Sequence, residues 1–227
     1  LPPHPLDALY DSLKADLELV PHASPEYATI AKYASATGSS GWGGHQQLLN
    51  VWRVRRNVEK DTKFFDAEAN RKLLWHGTHC SVVAPILQSG LRIMQHSGGR
   101  VGRGIYMASE QSKSAGYVRP GVAPETGQRV GVMFLAEAAL GRQHDISRDD
   151  SSLRAPPSGF DSVVAQGRTE PDPQLNTKLT LEGRQVVVPQ GKPVAQPAYA
   201  SSSFSQSEYL IYTEARHQLR YVLTFSW

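Results

Sequence analysis

Cysteine is nearly absent from this 227-residue sequence, where Cys80 stands alone. A single thiol excludes an internal disulfide framework and any structural zinc site built from several thiolates, and it fits a reducing compartment. Long apolar runs are lacking too. The longest, around Val130 to Leu140, is interrupted by Glu137 and falls well short of the roughly 20 residues a membrane span needs, so no transmembrane helix is expected. Neither charge dominates: 24 Lys and Arg face 21 Asp and Glu. The net charge of +3 permits an anionic ligand but is far from a nucleic-acid-binding tail. The opening Leu1-Pro2-Pro3 has no initiator Met, basic n-region or apolar h-region, and reads as a fragment of a longer protein whose upstream sequence is gone.

Common catalytic signatures are missing as well. No GxSxG elbow and no HExxH helix occurs, which removes the common hydrolase and metalloprotease readings. The run from Gly98 to Gly104 is glycine-rich but does not spell GxGxxG, lacks Gly-Lys-Ser/Thr and precedes a strand where a dinucleotide-binding turn follows one. It reads either as a flexible hairpin connection or as a mobile loop over a ligand.

What is present is a globular composition, 40% hydrophobic and 20% charged. At this length about 70% of the chain's surface can be buried in a core. Leu6, Leu9, Tyr10, Leu13, Leu17 and Val20 recur at helical spacing and predict one helix over the first 20 residues. A second helix is expected from an N-cap at Ser24 to near Gly38, and a loop from Thr37 to Gly44. Ser81 to Ser89 fits a helix closed by Gly90, provided Pro85 lies in its first turn, and Ser109 to Tyr117 fits another. Strands are expected at 48–57, 71–75, 105–108, 130–140, 162–165, 178–181, 185–188, 208–212 and 220–225. The Pro-rich segment 155–173 reads as an ordered surface loop around one strand. Helices gather early and strands late, the pattern of an α+β domain.

Several polar residues stand on or beside these apolar strands. They are His76-Gly77-Thr78, Gly104-Ile105-Tyr106, the run Ser112-Lys113-Ser114-Ala115-Gly116-Tyr117, and Glu208-Tyr209. Singly, each reads as structural or as a solvated edge. A basic run, Arg53, Arg55, Arg56, Lys60, Lys63, Arg71 and Lys72, reads as a solvated face, with a nucleic-acid surface as its rival.

Taken in order, Leu74-Trp75-His76-Gly77-Thr78, Gly102-Arg103-Gly104-Ile105-Tyr106, Ser112 to Tyr117 and Ser207-Glu208-Tyr209 resemble the His-Tyr-Glu motifs of the poly(ADP-ribose) polymerase catalytic domain. The resemblance runs from Pro5 to Phe225. Gly159-Phe160-Asp161-Ser162-Val163, Val186 to Gly191 and the loop 97–104 are most similar to the family's third member, a nuclear mono-ADP-ribosyltransferase. It implies an ADP-ribosyltransferase fold in which two packed mixed or antiparallel sheets form an NAD cleft flanked by short helices. A single catalytic domain over residues 1–227 is implied, with residues 1–20 at the junction with an absent helical regulatory domain. Broken DNA would be sensed only through absent upstream domains, in the nucleus, during the response to DNA damage.

The resemblance also implies roles. NAD is the consumed substrate and no metal takes part. Glu208, His76 and Tyr106 form the catalytic triad, and His76, Gly77, Thr78, Arg92, Tyr106, Lys113, Ser114 and Tyr117 bind NAD. Acceptors are protein side chains, including the enzyme's own, or nucleic-acid ends. The chemistry agrees: breaking the nicotinamide–ribose bond leaves an oxocarbenium-like sugar that needs a nearby fixed negative charge, and cationic nicotinamide suits aromatic faces. Met107, Gly116 and Pro85 depart from the family pattern without removing a triad member. A silent module that binds NAD or ADP-ribose for recruitment remains the alternative.

Overall fold

The computed structural model describes residues 4–38, 46–56, 69–95 and 98–227. Helices α1 (Pro5–Ser12), α2 (Pro25–Thr37), α3 (Val83–Ser89) and α4 (Gln111–Ala115) surround strands that fall into three sheets. The early strands are β1 (Ala15–Leu19), β2 (Gln47–Arg56), β3 (Arg71–Gly77), β4 (Ile105–Met107), β5 (Gly121–Val122), β6 (Arg129–Ala139) and β7 (Gln143–Ile146). The later ones are β8 (Ser162–Ala165), β9 (Gly167–Pro171), β10 (Thr177–Leu181), β11 (Arg184–Val188), β12 (Pro193–Ala195), β13 (Phe204–Gln206), β14 (Glu208–Ile211) and β15 (His217–Ser226). An eight-stranded sheet runs β1-β2-β15-β6-β3-β11-β10 with β5 beside β6. A four-stranded sheet runs β4-β14-β8-β7, and a three-stranded one β12-β9-β13. The expected α+β class with packed sheets is what forms.

Alternation along the strands explains the packing. On β3, Leu74 enters the core between the two larger sheets, while Leu73 and Trp75 face the opposite side against Ile30 and Tyr33 of α2. On β6, Phe134, Ala136 and Ala138 join the first group and Met133 and Leu135 the second. Tyr209 and Ile211 of β14 enter the same inter-sheet core, whereas Leu210 packs outward with Phe204 and Val163. Glu208 shares the Leu210 side by the same period of two, and that side carries Tyr106.

One helix of 20 residues is not what forms at the N-terminus. Helix α1 stops at Ser12, Lys14 turns with φ 52°, and Ala15–Leu19 pairs antiparallel with β2. Leu13, Ala15 and Leu17 also satisfy a period of two, and all three pack on the inter-sheet core, so tertiary burial overrides the helical spacing. The helix expected over 109–117 shrinks to α4, because Glu110 is extended at its N-cap and Ser109 and Glu110 engage side chains of other elements. Segment 155–173 holds two strands of two different sheets where one was expected. Helix α2 starts at Ser24 as expected, its Oγ accepting from Tyr27 N–H at 3.1 Å. Pro85 is the third residue of α3, within the first turn. Residues 39–44 of the expected loop lie outside the described residues.

Among the described members of the basic run Arg55 is exposed, as the solvated reading expects, while the others are at least partly buried and paired within the domain. Arg53 is held by Glu26 and by Glu18 (2.6 Å), and Arg55 meets Glu18 at 3.4 Å. Arg56 is buried and donates to the carbonyls of Leu87 and Gln88. Lys72 donates to the Tyr209 hydroxyl. Lys60 and Lys63 lie outside the described residues. Arg71 and Arg220 both grip Glu137, which is fully buried, at 2.9 and 2.6 Å. An irregularity in β15 between Leu219 and Tyr221 gives Arg220 its inward aim. No helix among the described residues is long and apolar enough to cross a membrane.

Candidate active site

A backbone bridge joins the two larger sheets at the edge of their shared core, Trp75 N–H donating to Ala108 O (2.8 Å) and Ala108 N–H to Trp75 O (2.9 Å). One residue further the strands part, and the imidazole of His76 meets the Tyr106 carbonyl at 2.9 Å from Nδ1. A cavity of about 670 Å³ opens there, between β3, β4, α3, α4 and the start of β14. His76, Gly77, Arg92, Tyr106, Lys113, Ser114, Tyr117 and Glu208 all line it. Thr78 does not appear among the lining residues, and its carbonyl accepts from Arg119 N–H.

A carbonyl oxygen only accepts, so the His76–Tyr106 contact requires hydrogen on Nδ1. Burial depresses the pKa of His76 below the ordinary histidine value, against a smaller opposing effect of the Tyr106 carbonyl. The neutral ring therefore keeps Nε2 as a free acceptor. Tyr106 is held at its far end: its hydroxyl donates to Gly102 O (2.7 Å) and accepts from Val101 N–H (3.0 Å). Its ring face is thus fixed. Tyr117 is 60% exposed, leaving a second aromatic face open to a ligand.

Gly77 is the close approach of the site. A Cβ there would stand 1.9 Å from Ser114 O, so only glycine lets β3 lie this near α4. Glu208 is 5% exposed and forms an ion pair with Lys113 Nζ at 2.6 Å. Sparse water strengthens such a fixed charge. Arg92 stands at the rim, half exposed, in an ion pair with Glu214 at 2.7 Å.

The glycine-rich loop is latched over the cavity. Gly99 and Gly102 exchange backbone hydrogen bonds, Arg103 N–H donates to Leu153 O, and Tyr212 OH donates to Val101 O. Arg100 caps Phe204 and donates to the Asp149 carboxylate from Nε and Nη2, each at 2.7 Å. Arg100, with Ser203, brings the Asp149 carboxyl down to about 2. Arg100, Ile86 and Met94 line the cavity and were not singled out in the sequence, since an exposed arginine and lone apolar residues carry no pattern. Among the described residues no group of three or more His, Cys, Asp or Glu could hold a metal ion.

Comparison with known proteins gives this architecture its class. A family model described as the poly(ADP-ribose) polymerase catalytic domain matches residues 24–227. The chain belongs to that family. It is 56% identical to the protein mono-ADP-ribosyltransferase PARP3 of Homo sapiens over 97% of its length, and 52% identical to that of Gallus gallus. Similarity to poly [ADP-ribose] polymerase 1 of Xenopus laevis is lower, at 33% over 96% of the chain. The chain spans about two fifths of the length of the mono-ADP-ribosyltransferases it matches.

Proposed function

We propose that this chain is an NAD-dependent ADP-ribosyltransferase domain that moves one ADP-ribose unit from NAD to an acceptor side chain and releases nicotinamide. The observation that carries this reading is the placement of Glu208, buried and ion-paired to Lys113, on the wall of a cavity shared with His76 and Tyr106.

NAD enters as substrate. Nicotinamide stacks between the fixed face of Tyr106 and the open face of Tyr117, each contact worth about 0.5 to 2 kcal/mol. Its carboxamide pairs with the backbone of Gly77, bare of a side chain, and with the Ser114 hydroxyl. His76 Nε2 accepts from a hydroxyl of the adenosine ribose. Thr78 and Arg92 are assigned to the adenosine half. For Arg92 the rim position supports this, while Thr78 rests on the family resemblance alone. As the bond to nicotinamide lengthens, positive charge grows on the sugar and the Glu208 carboxylate faces it. Lys113 holds that carboxylate in place, and its own contact reaches the nearby ribose. Glu208 then orients or deprotonates the acceptor.

Similarity to mono-ADP-ribosyltransferases supports transfer of a single unit. Protein acceptors including the enzyme itself, nucleic-acid ends, a nuclear role in the DNA damage response, and a helical regulatory domain preceding residues 1–20 are proposed on the same basis. The silent recruitment reading is weakened because all three members of the His-Tyr-Glu set share one cavity. Incubation with labelled NAD and a denaturing gel tests the proposal. A discrete labelled band with equimolar nicotinamide supports it, a smear contradicts single-unit transfer, and NAD binding without nicotinamide release favours the silent module.

A further inference from the structure

Behind the Lys113–Glu208 pair lies a second carboxylate, with no cation in contact among the described residues. Glu110, 4% exposed, stands between Tyr106 on β4 and Lys113 on α4. Its carboxylate accepts from Gln206 Nε2 at 2.6 Å and from Thr169 Oγ1 at 2.8 Å. Gln206 Nε2 also donates to Ser112 Oγ at 2.8 Å. Gln206 sits two residues before Glu208, and Ser112 is the residue before Lys113. Through Gln206, one carboxylate therefore gathers two chain segments that reach the catalytic ion pair within two residues.

From this geometry we infer that Glu110 is a positioning residue, which sets the register and charge balance of Lys113 against Glu208. The inference rests on the activity proposed above.

Two effects act together. Held by Glu110, the Gln206 amide ties β13 to the first turn of α4, so Glu208 and Lys113 approach from fixed directions. A misplacement of about 1 Å near reacting atoms costs on the order of a hundredfold in rate. Glu110 also shares the field of Lys113, whose charge favours its ionised form. Without that second negative charge the ammonium neutralises Glu208 more fully, and less negative charge is left to face the sugar cation. Burial and, more weakly, the neighbouring Glu170 push the Glu110 carboxyl above the usual carboxylate range, while Gln206, Thr169 and Lys113 oppose that. Glu170 has its own donors, Ser109 Oγ at 2.9 Å and Tyr209 OH at 2.7 Å, so it does not substitute for Glu110.

The test compares wild type, Glu110→Gln, and the swapped pair Glu110→Gln with Gln206→Glu, in which amide and carboxylate exchange places. Nicotinamide release gives kcat and KM, benzamide titration reads the stacking pocket, and melting reads the fold. Glu110→Gln is expected to lower kcat by tenfold or more, on the order expected for a sub-ångström shift, with benzamide affinity and KM within about twofold. The swapped pair is expected to recover most of that loss. Wild-type kcat in Glu110→Gln, or a loss the swap does not restore, overturns the inference. Should Glu110→Gln fail to fold, Ser112→Ala reads the same link: a fall of about threefold, one hydrogen bond's worth, supports it and an unchanged kcat overturns it. A wild-type chain that binds benzamide but releases no nicotinamide overturns the activity and this inference with it. An active wild type matched by Glu110→Gln overturns this inference alone.

Discussion

Replacing Glu208 by glutamine keeps the shape of the side chain and removes one negative charge at the wall of the cavity. The magnitude follows from its surroundings. A unit charge about 4 Å from a developing sugar cation, at an effective dielectric of about 20, contributes on the order of 4 kcal/mol. Loss of one preorganised contact of this kind in other enzymes costs about 2.7 to 4 kcal/mol. The carboxylate is nearly solvent-free and paired with Lys113 at 2.6 Å, and with the charge gone the ammonium remains beside the sugar without its ion-pair partner. The upper end therefore applies, a fall in kcat of about 10³-fold. Benzamide binding should change little, because Tyr106, Tyr117, Gly77 and Ser114 are untouched. The assay is nicotinamide release under saturating NAD, with benzamide affinity measured alongside. Turnover within tenfold of wild type would refute the electrostatic role of Glu208.

Tyr117→Ala should weaken benzamide binding by about 0.5 to 2 kcal/mol in a titration, while Lys178→Ala on exposed β10 should not. Glu137→Ala should cost about 3 to 5 kcal/mol in denaturant unfolding, because Arg71 and Arg220 are left buried without their shared partner. Acid should destabilise the domain through His217. Its Nδ1–H donates to Glu214 O and its Nε2 accepts from Leu91 N–H, an arrangement only the neutral ring satisfies. Burial brings its pKa down to about 4. Between about pH 6.5 and pH 4 the unfolded chain binds the extra proton, so the stability present above pH 6.5 is lost as pH falls, to a few kcal/mol in order of magnitude. His217→Gln should flatten the melting temperature over that window. A short blunt DNA duplex should leave nicotinamide release unchanged, since Arg53, Arg55, Arg56 and Arg71 are already engaged within the domain.

The sequence was most legible where one period admits one solution. Strand β6 and the cap at Ser24 are examples, and so is the ordered spacing of His76, Tyr106 and Glu208, because motif residues hold their places on strands regardless of loop detail. It was least legible where two periods coincide. Leu13 and Leu17 fit a helix and a strand equally, and the choice fell to pairing with β2, more than 30 residues away. Short polar strands such as β9 and β13 carry no alternation of apolar residues. They exist because Thr169, Glu170 and Gln206 find partners on distant elements. The basic run was legible at exposed Arg55 and not at Arg53 and Arg71: charge is local in sequence, whereas the acids that hold those two, Glu18, Glu26 and Glu137, come from α2 and two other strands.

The central claim is that one cavity holds the nicotinamide end of NAD with Glu208 across the bond to be broken. A crystal structure with benzamide adenine dinucleotide, whose carbon–carbon link cannot be cleaved, tests it most directly. The account predicts the benzamide ring between Tyr106 and Tyr117, its carboxamide on the Gly77 backbone and Ser114, and the adenosine ribose on His76 Nε2. It also predicts Glu208 within hydrogen-bond reach of the ribose attached to the ring. A dinucleotide bound elsewhere, or bound in this cavity with its ring away from the two tyrosines and Glu208 out of reach, would contradict it.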